Sequence, residues 1–147
     1  MLAVTGLDTN VLARYYVAAP AGDAATARQC AAAQALIDSG APLMVAKTVL
    51  LELEWVLRGH YGFDATAIAG VMRHLLALPH VTVEDRAAVE IALRHYTDGR
   101  NALDFADALH HAAYRHCQSM ATFDDRKFAR RAARLQLRPK VEAPARA

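Results

Sequence analysis

Leu2-Ala3-Val4-Thr5-Gly6-Leu7-Asp8-Thr9-Asn10-Val11-Leu12 is the stretch on which the reading of this chain turns. An apolar run halts at an acid and resumes as Thr-Asn-Val-Leu, which predicts a short buried strand over residues 2–7 and a helix over 9–17. The alternation then repeats. Asp23 is a natural N-cap for a helix over 23–39 with Gly40 as its stop, and residues 42–46 read as a second strand. A strong helix follows over 48–60, closed by Gly62, and Asp64 caps the next, which breaks before Pro79. Residues 81–83 alternate as a short strand, 85–96 are helical, and Asp98-Gly99 is a turn signal. Residues 104–117 form a further helix, 119–122 a strand and 125–135 a basic helix, with 139–147 expected as a frayed tail. Strands separated by helices make βαβ units, hence a parallel sheet with helices on both faces. The expectation is an α/β protein with one domain over 1–138 and a tail over 139–147.

The 147 residues are enough for one core, and 54% hydrophobic with 22% charged residues excludes a disordered chain. Cys30 and Cys117 are far apart, no leader-like segment opens the sequence, and no apolar run is long enough to span a bilayer. These features lead to the expectation of a cytoplasmic protein with reduced thiols and no membrane association. The net charge of +2 matters less than its placement. Residues 126–140 hold no acid but carry Arg126, Lys127, Arg130, Arg131, Arg134, Arg138 and Lys140. Such a block is either a phosphate-binding face or a solvated helix flank.

The acids are more specific. In parallel sheets, ligands bind beyond the carboxyl ends of the strands. Asp8 directly follows the first strand and Asp124 the last by a residue, so both are expected at that rim. Asp8 either caps the next helix or offers an oxygen to a hard cation. Glu52 falls on the helical stripe of Val49, Leu53, Val56 and Leu57, where an ionised carboxylate needs a metal or a cationic partner. Glu54, on another face, is expected to be solvated. Asp104 and Asp107 are spaced i, i+3 and share one helix face, either as a capping pair or as ligands facing a cleft. The opposite face is expected to carry Phe105, Ala108, Leu109, Ala112 and His116 into the core. Of Asp124 and Asp125, one is expected to cap the basic helix. Clustered carboxylates repel, and divalent cations relieve that repulsion. All-oxygen ligation favours Mg²⁺ or Mn²⁺ over zinc, and the sequence has no His-Glu-x-x-His or Cys-x-x-Cys pattern.

At these residues the chain resembles the PIN-domain family, and within it the VapC-type ribonuclease toxins of toxin–antitoxin pairs. The resemblance lies in Leu7-Asp8-Thr9-Asn10-Val11-Leu12, Leu51-Glu52-Leu53-Glu54-Trp55-Val56-Leu57-Arg58, Asp104-Phe105-Ala106-Asp107-Ala108-Leu109-His110 and Ala121-Thr122-Phe123-Asp124-Asp125-Arg126-Lys127-Phe128-Ala129. These four blocks occur in family order. The resemblance implies a three-layer α/β/α sandwich around a short, mostly parallel sheet. It places Asp8, Glu52, Asp107 and Asp124 in the acidic core, Asp104 as an additional acid, and Asn10 and Thr122 in supporting positions. It implies a Mg²⁺- or Mn²⁺-dependent endoribonuclease acting on RNA phosphodiesters, a cognate antitoxin and a homodimer. Arg126, Lys127, Arg130 and Arg131 are candidate RNA contacts. Tyr15 and Tyr16 are candidates for core packing or for stacking on a base. Two other classes compete. A non-catalytic PIN scaffold would bind a partner without cutting. A haloacid-dehalogenase-like phosphatase wants a second Asp where this chain has Asn10.

Overall fold

The protein, seen as a computed structural model, is described here over residues 3–145. Leu2, the first residue of the expected opening strand, lies outside that range. Seven α-helices and five short strands are present among the described residues, all strand pairs running parallel. This is the α/β class expected from the alternation. The residues divide into two compact units at Arg86/Ala87.

In the first unit, β1 (Thr5–Gly6), β2 (Leu43–Val45) and β3 (Val81–Val83) form a sheet in that order. Thr5 pairs with Leu43, and Leu43 with Val81. Around them lie α1 (Thr9–Tyr16), α2 (Ala24–Asp38), α3 (Lys47–Gly59) and α4 (Ala65–Ala77). α1 packs on α2 and α3, α3 on α4, and α4 on β3. Helix boundaries follow the cap residues. Asp23 accepts the Thr26 amide and Asp64 the Ala67 amide, each satisfying an N–H that the helix itself leaves unpaired. Gly40 and Gly62 take positive φ beyond α2 and α3, where a side chain would be strained. Leu12, Ile37, Leu43, Val45, Leu53, Leu57, Ile68, Met72 and Leu75 are fully buried and make the core. β1 departs from the expectation of a buried strand. It is paired on one side only within this sheet, and Val4, Thr5 and Gly6 are exposed; burial begins at Leu7.

The second unit contains α5 (Arg86–Tyr96), a 3-10 turn (Gly99–Asn101), α6 (Phe105–Ala113), β4 (Ser119–Ala121), α7 (Phe128–Arg134) and β5 (Lys140–Glu142). Tyr96 and Phe105 meet edge to face at 5.4 Å between ring centres. Phe105, Ala108, Leu109 and Ala112 are buried as expected, but His116 is not among them. α6 stops at Ala113, leaving His116 exposed beyond its end, and His111 is the buried histidine of the helix. Its Nε2 lies 2.7 Å from the Pro139 carbonyl, an acceptor that requires the proton on that nitrogen. The frayed tail expected over 139–147 is corrected at residues 140–142, while residues 146 and 147 lie outside the described range. Lys140–Glu142 pairs in parallel with Ser119–Ala121, Val141 is buried, and the bond from His111 holds the cis Arg138–Pro139 turn leading into this strand.

His95, in α5, carries a buried Nδ1 without a hydrogen-bond partner. Burial, then the charges of Arg94 and His111, push its pKa below the usual 6.5, against a smaller opposing effect of Asp98. Below about 6.5 the unfolded chain therefore binds a proton that the folded chain resists, so stability falls as pH drops through that value. Urea midpoints measured at pH 7.5 and 5.5 should show a drop that is smaller in His95→Gln; an identical drop would contradict this assignment. In α4, Asp64→Ala removes the cap and should cost about 1 kcal/mol in the same assay.

Candidate functional site

The first unit carries Asp8 and Glu52. Asp8 leaves β1 in an extended conformation, and its Oδ1 accepts the Thr9 amide at 2.8 Å. It is thus the N-cap of α1, where the helix dipole favours negative charge. Capping occupies one oxygen, and Oδ2 accepts no hydrogen bond from the described residues. The side chain is exposed, as is that of Asn10, while Thr9 is buried with an unpartnered Oγ1. α3 starts from the same edge of the sheet. The Leu7 amide bonds the Met44 carbonyl, and two residues on, Ala46 opens the helix.

Glu52 and Glu54 have exchanged the expected environments. The buried face of α3 is Leu50, Leu53, Glu54 and Leu57, an i, i+3, i+4, i+7 set one residue out of phase with the stripe expected from Val49. Glu54 is 5% exposed, and its cost of burial is met by Arg58 one turn on, with Nε 2.8 Å from Oε2. Glu52 is exposed, with no hydrogen bond or ion pair to the described residues. Its candidacy rests on being an open carboxylate, not on being a buried one. Sequence reasoning also passed over Glu84, which ends β3 and caps α3 by accepting the Lys47 amide at 2.9 Å.

The second unit brings Asp104 and Asp124 each within electrostatic reach of Asp107. Asp104 occupies the N-cap position of α6 without capping it; its Oδ2 instead accepts from Lys127 Nζ at 3.0 Å. Both partners are exposed, so the pair is worth at most about 1 kcal/mol. Asp107 is half-buried and makes no hydrogen bond or ion pair with the described residues. Burial pushes its pKa up, and the Asp104 and Asp124 charges push it further, against weaker pulls from His110 and Lys127. Asp124 is the acid that turns the chain into α7. Its Oδ1 accepts the Lys127 amide, and its own amide donates to Thr122 Oγ1 at 3.1 Å. Asp125 is exposed, outside these contacts.

The basic block is less uniform than its sequence. Arg131 is half-buried and donates from Nη1 to the Ala102 carbonyl at 2.9 Å, which braces the 3-10 turn and engages part of its guanidinium. Lys127 is paired with Asp104 in an exposed, weak contact. Arg126 and Arg130 are exposed.

As ligands these groups suit one kind of ion. They are carboxylate oxygens without sulfur or paired imidazoles, and the crowding around Asp107 is the charge imbalance that a hard divalent cation relieves. Among the described residues, however, no three His, Cys, Asp or Glu side chains gather closely enough to hold a metal ion by themselves. No helix among them is long and apolar enough to cross a membrane.

The sequence matches the family model of the PIN domain over residues 6–134, a span reaching from β1 through α7. No curated protein matches the chain.

The raised pKa of Asp107 has a sign that can be tested. A carboxyl shifted above its usual 3.8 favours folding when protonated, and that stability is lost as pH rises through the folded value. At pH 7 the charge therefore opposes folding, and Asp107→Asn should raise the urea midpoint in metal-free buffer. A midpoint that stays level or falls would contradict the crowding described.

Proposed function

This chain belongs to the PIN-domain family, and we propose that it is a Mg²⁺- or Mn²⁺-dependent endoribonuclease, the toxin of a cytoplasmic toxin–antitoxin pair. PIN domains are generally nucleases, act on RNA or DNA and usually bind divalent metal ions. The observation that carries the reading to this chain is Asp107, a half-buried acid with acids for neighbours and no cation paired to it. An acid so placed is costly to folding and is characteristic of sites that work on a ligand.

The proposed ligands are Asp8, Glu52, Asp107 and Asp124, with Asp104 as an additional acid. A bound divalent ion supplies acidity to water and positive charge to the phosphodiester. The chain supplies placement. The Thr9 amide fixes one oxygen of Asp8 and leaves the other open. Thr122 Oγ1 holds the Asp124 backbone, so that side chain enters from a defined turn. Asn10 is exposed beside Asp8 and is proposed to orient water or substrate. Arg126 and Arg130 are proposed to hold flanking phosphates, which makes affinity fall with added salt. The choice of RNA over DNA, the antitoxin and a homodimer follow from the likeness to VapC-type toxins and belong to the same proposal.

Purified protein should cleave unstructured RNA when Mg²⁺ or Mn²⁺ is added and lose that activity in excess chelator. Asp8→Asn should reduce cleavage to background with an unchanged circular dichroism spectrum. Expression of the wild-type chain alone should arrest bacterial growth, and expression of Asp8→Asn should not. Full activity of the variant, or in chelator, would sink the metal-dependent reading; metal binding without cleavage of RNA or DNA would favour a scaffold that binds and does not cut.

A further inference from the structure

A cavity of about 480 Å³ opens between α1 and α2 in the first unit. Its origin is legible in the helix faces. Gln29, Ala33 and Leu36 share one face of α2 at i, i+4, i+7 spacing, and Asn10, Val11 and Arg14 share one face of α1. Alanine at the centre of the α2 face leaves unfilled the volume that a larger side chain would take. The walls are apolar, from Val11, Ala33 and Leu36, and one end is polar, from Asn10, Arg14 and Gln29. A space of this size suits a single small ligand, not a folded partner.

The polar end is fixed in place. Arg14 Nε donates to Gln29 Oε1 at 2.8 Å, and Nη1 donates to the Tyr61 hydroxyl at 3.1 Å. Both partners are neutral; the Asp23 carboxylate is within electrostatic reach of Arg14 but makes no ion-pair contact with it. Because arginine has no acceptor, Gln29 must present its oxygen to Arg14 and is left with its amide N–H groups to offer. Arg14 Nη2 likewise makes no hydrogen bond or ion pair with the described residues. The groups left open on Arg14 and Gln29 are therefore donors, flanked by apolar walls.

A planar ring whose edge bears two adjacent acceptors complements such an end. Among the bases that edge is guanine O6 and N7, the usual partner of an arginine fork, whereas adenine and cytosine would turn an amino group toward donors. The rim of the cavity at Asn10 is two residues from Asp8, in the first turn of α1. Unpaired bases in single-stranded RNA are read through hydrogen bonds to their edges; here the ring itself would lie against aliphatic walls. We infer that this cavity is a guanine-reading slot for the nucleotide beside the cleaved phosphodiester, with Arg14 and Gln29 as the specificity-determining residues. The inference rests on the nuclease reading for its biological use, but not for its binding chemistry.

The test separates the two. Nitrogen-15-labelled full-length protein, without divalent metal, is titrated with GMP, AMP, CMP, UMP and inorganic phosphate. The Arg14 Nε–H signal, identified by its loss in Arg14→Met, is the readout. GMP should shift it saturably and bind about tenfold or more tightly than AMP or CMP, the discrimination expected of a bidentate contact. Gln29→Ala, with an otherwise unchanged spectrum, should weaken GMP by about fivefold or more while leaving weak phosphate binding as it was. Equal responses to all four nucleotides, or to phosphate alone, would make this an anion site and overturn base reading. No response at Arg14, or an indifferent Gln29→Ala, would overturn the slot. Since no metal or cleavage enters this titration, inactivity toward RNA leaves its result intact, and a failed titration leaves the nuclease reading untouched.

Discussion

Parallel strands leave a sheet at a common edge, and that constraint places the acids of the first unit. β1, β2 and β3 run the same way, so the turns into α1 and α3 begin on one side of the sheet. Helix N-termini there present amides with no partner in the helix, and carboxylates answer them, Asp8 at Thr9 and Glu84 at Lys47. The second unit repeats the device after β4, where Asp124 receives the Lys127 amide. Capping and metal ligation ask the same thing of a side chain, an anionic oxygen held at a helix start. One residue can meet both demands with its two oxygens, so the alternatives weighed for Asp8 do not exclude each other.

The chain treats its acids in two ways. Glu54 is almost fully buried and given Arg58 as a partner, which satisfies it inside the fold. Asp107 is partly buried and given Asp104 and Asp124 for neighbours, which leaves it in want of positive charge. The first arrangement serves packing. The second is unfavourable for folding by itself, a cost that proteins commonly carry at functional positions.

Much of the element order could be read from the residues because local signals set it. Asp23 and Asp64 cap the helices they precede, and Gly40 takes the left-handed turn that ends one. Errors arose where a decision depends on a neighbour in space. In α3 each residue turns the helix by about 100°, so choosing Val49 over Leu50 as the stripe's origin exchanged the fates of Glu52 and Glu54. β5 has three residues, and nothing in Lys140–Glu142 alone announces a strand; its partner lies some twenty residues back, at Ser119–Ala121. Arg131 looked like one more cation of a basic helix until the Ala102 carbonyl was seen to engage it. The individual acids were legible in kind, but spacing alone left each open to a capping role. Family likeness singled out Asp8, Glu52, Asp107 and Asp124, and the polar trio of Asn10, Arg14 and Gln29 came from the structure.

The exposed contact between Lys127 and Asp104 links the starts of α7 and α6, and it is weak enough to exchange. A polyanion that draws the lysine away returns an unbalanced charge to the surroundings of Asp107, which already feels Asp104. Thermodynamic reciprocity then requires that whatever neutralises the acids also frees the lysine for the polyanion. Two ligands of opposite sign would thus recruit each other through a single ammonium group, without any movement of the backbone.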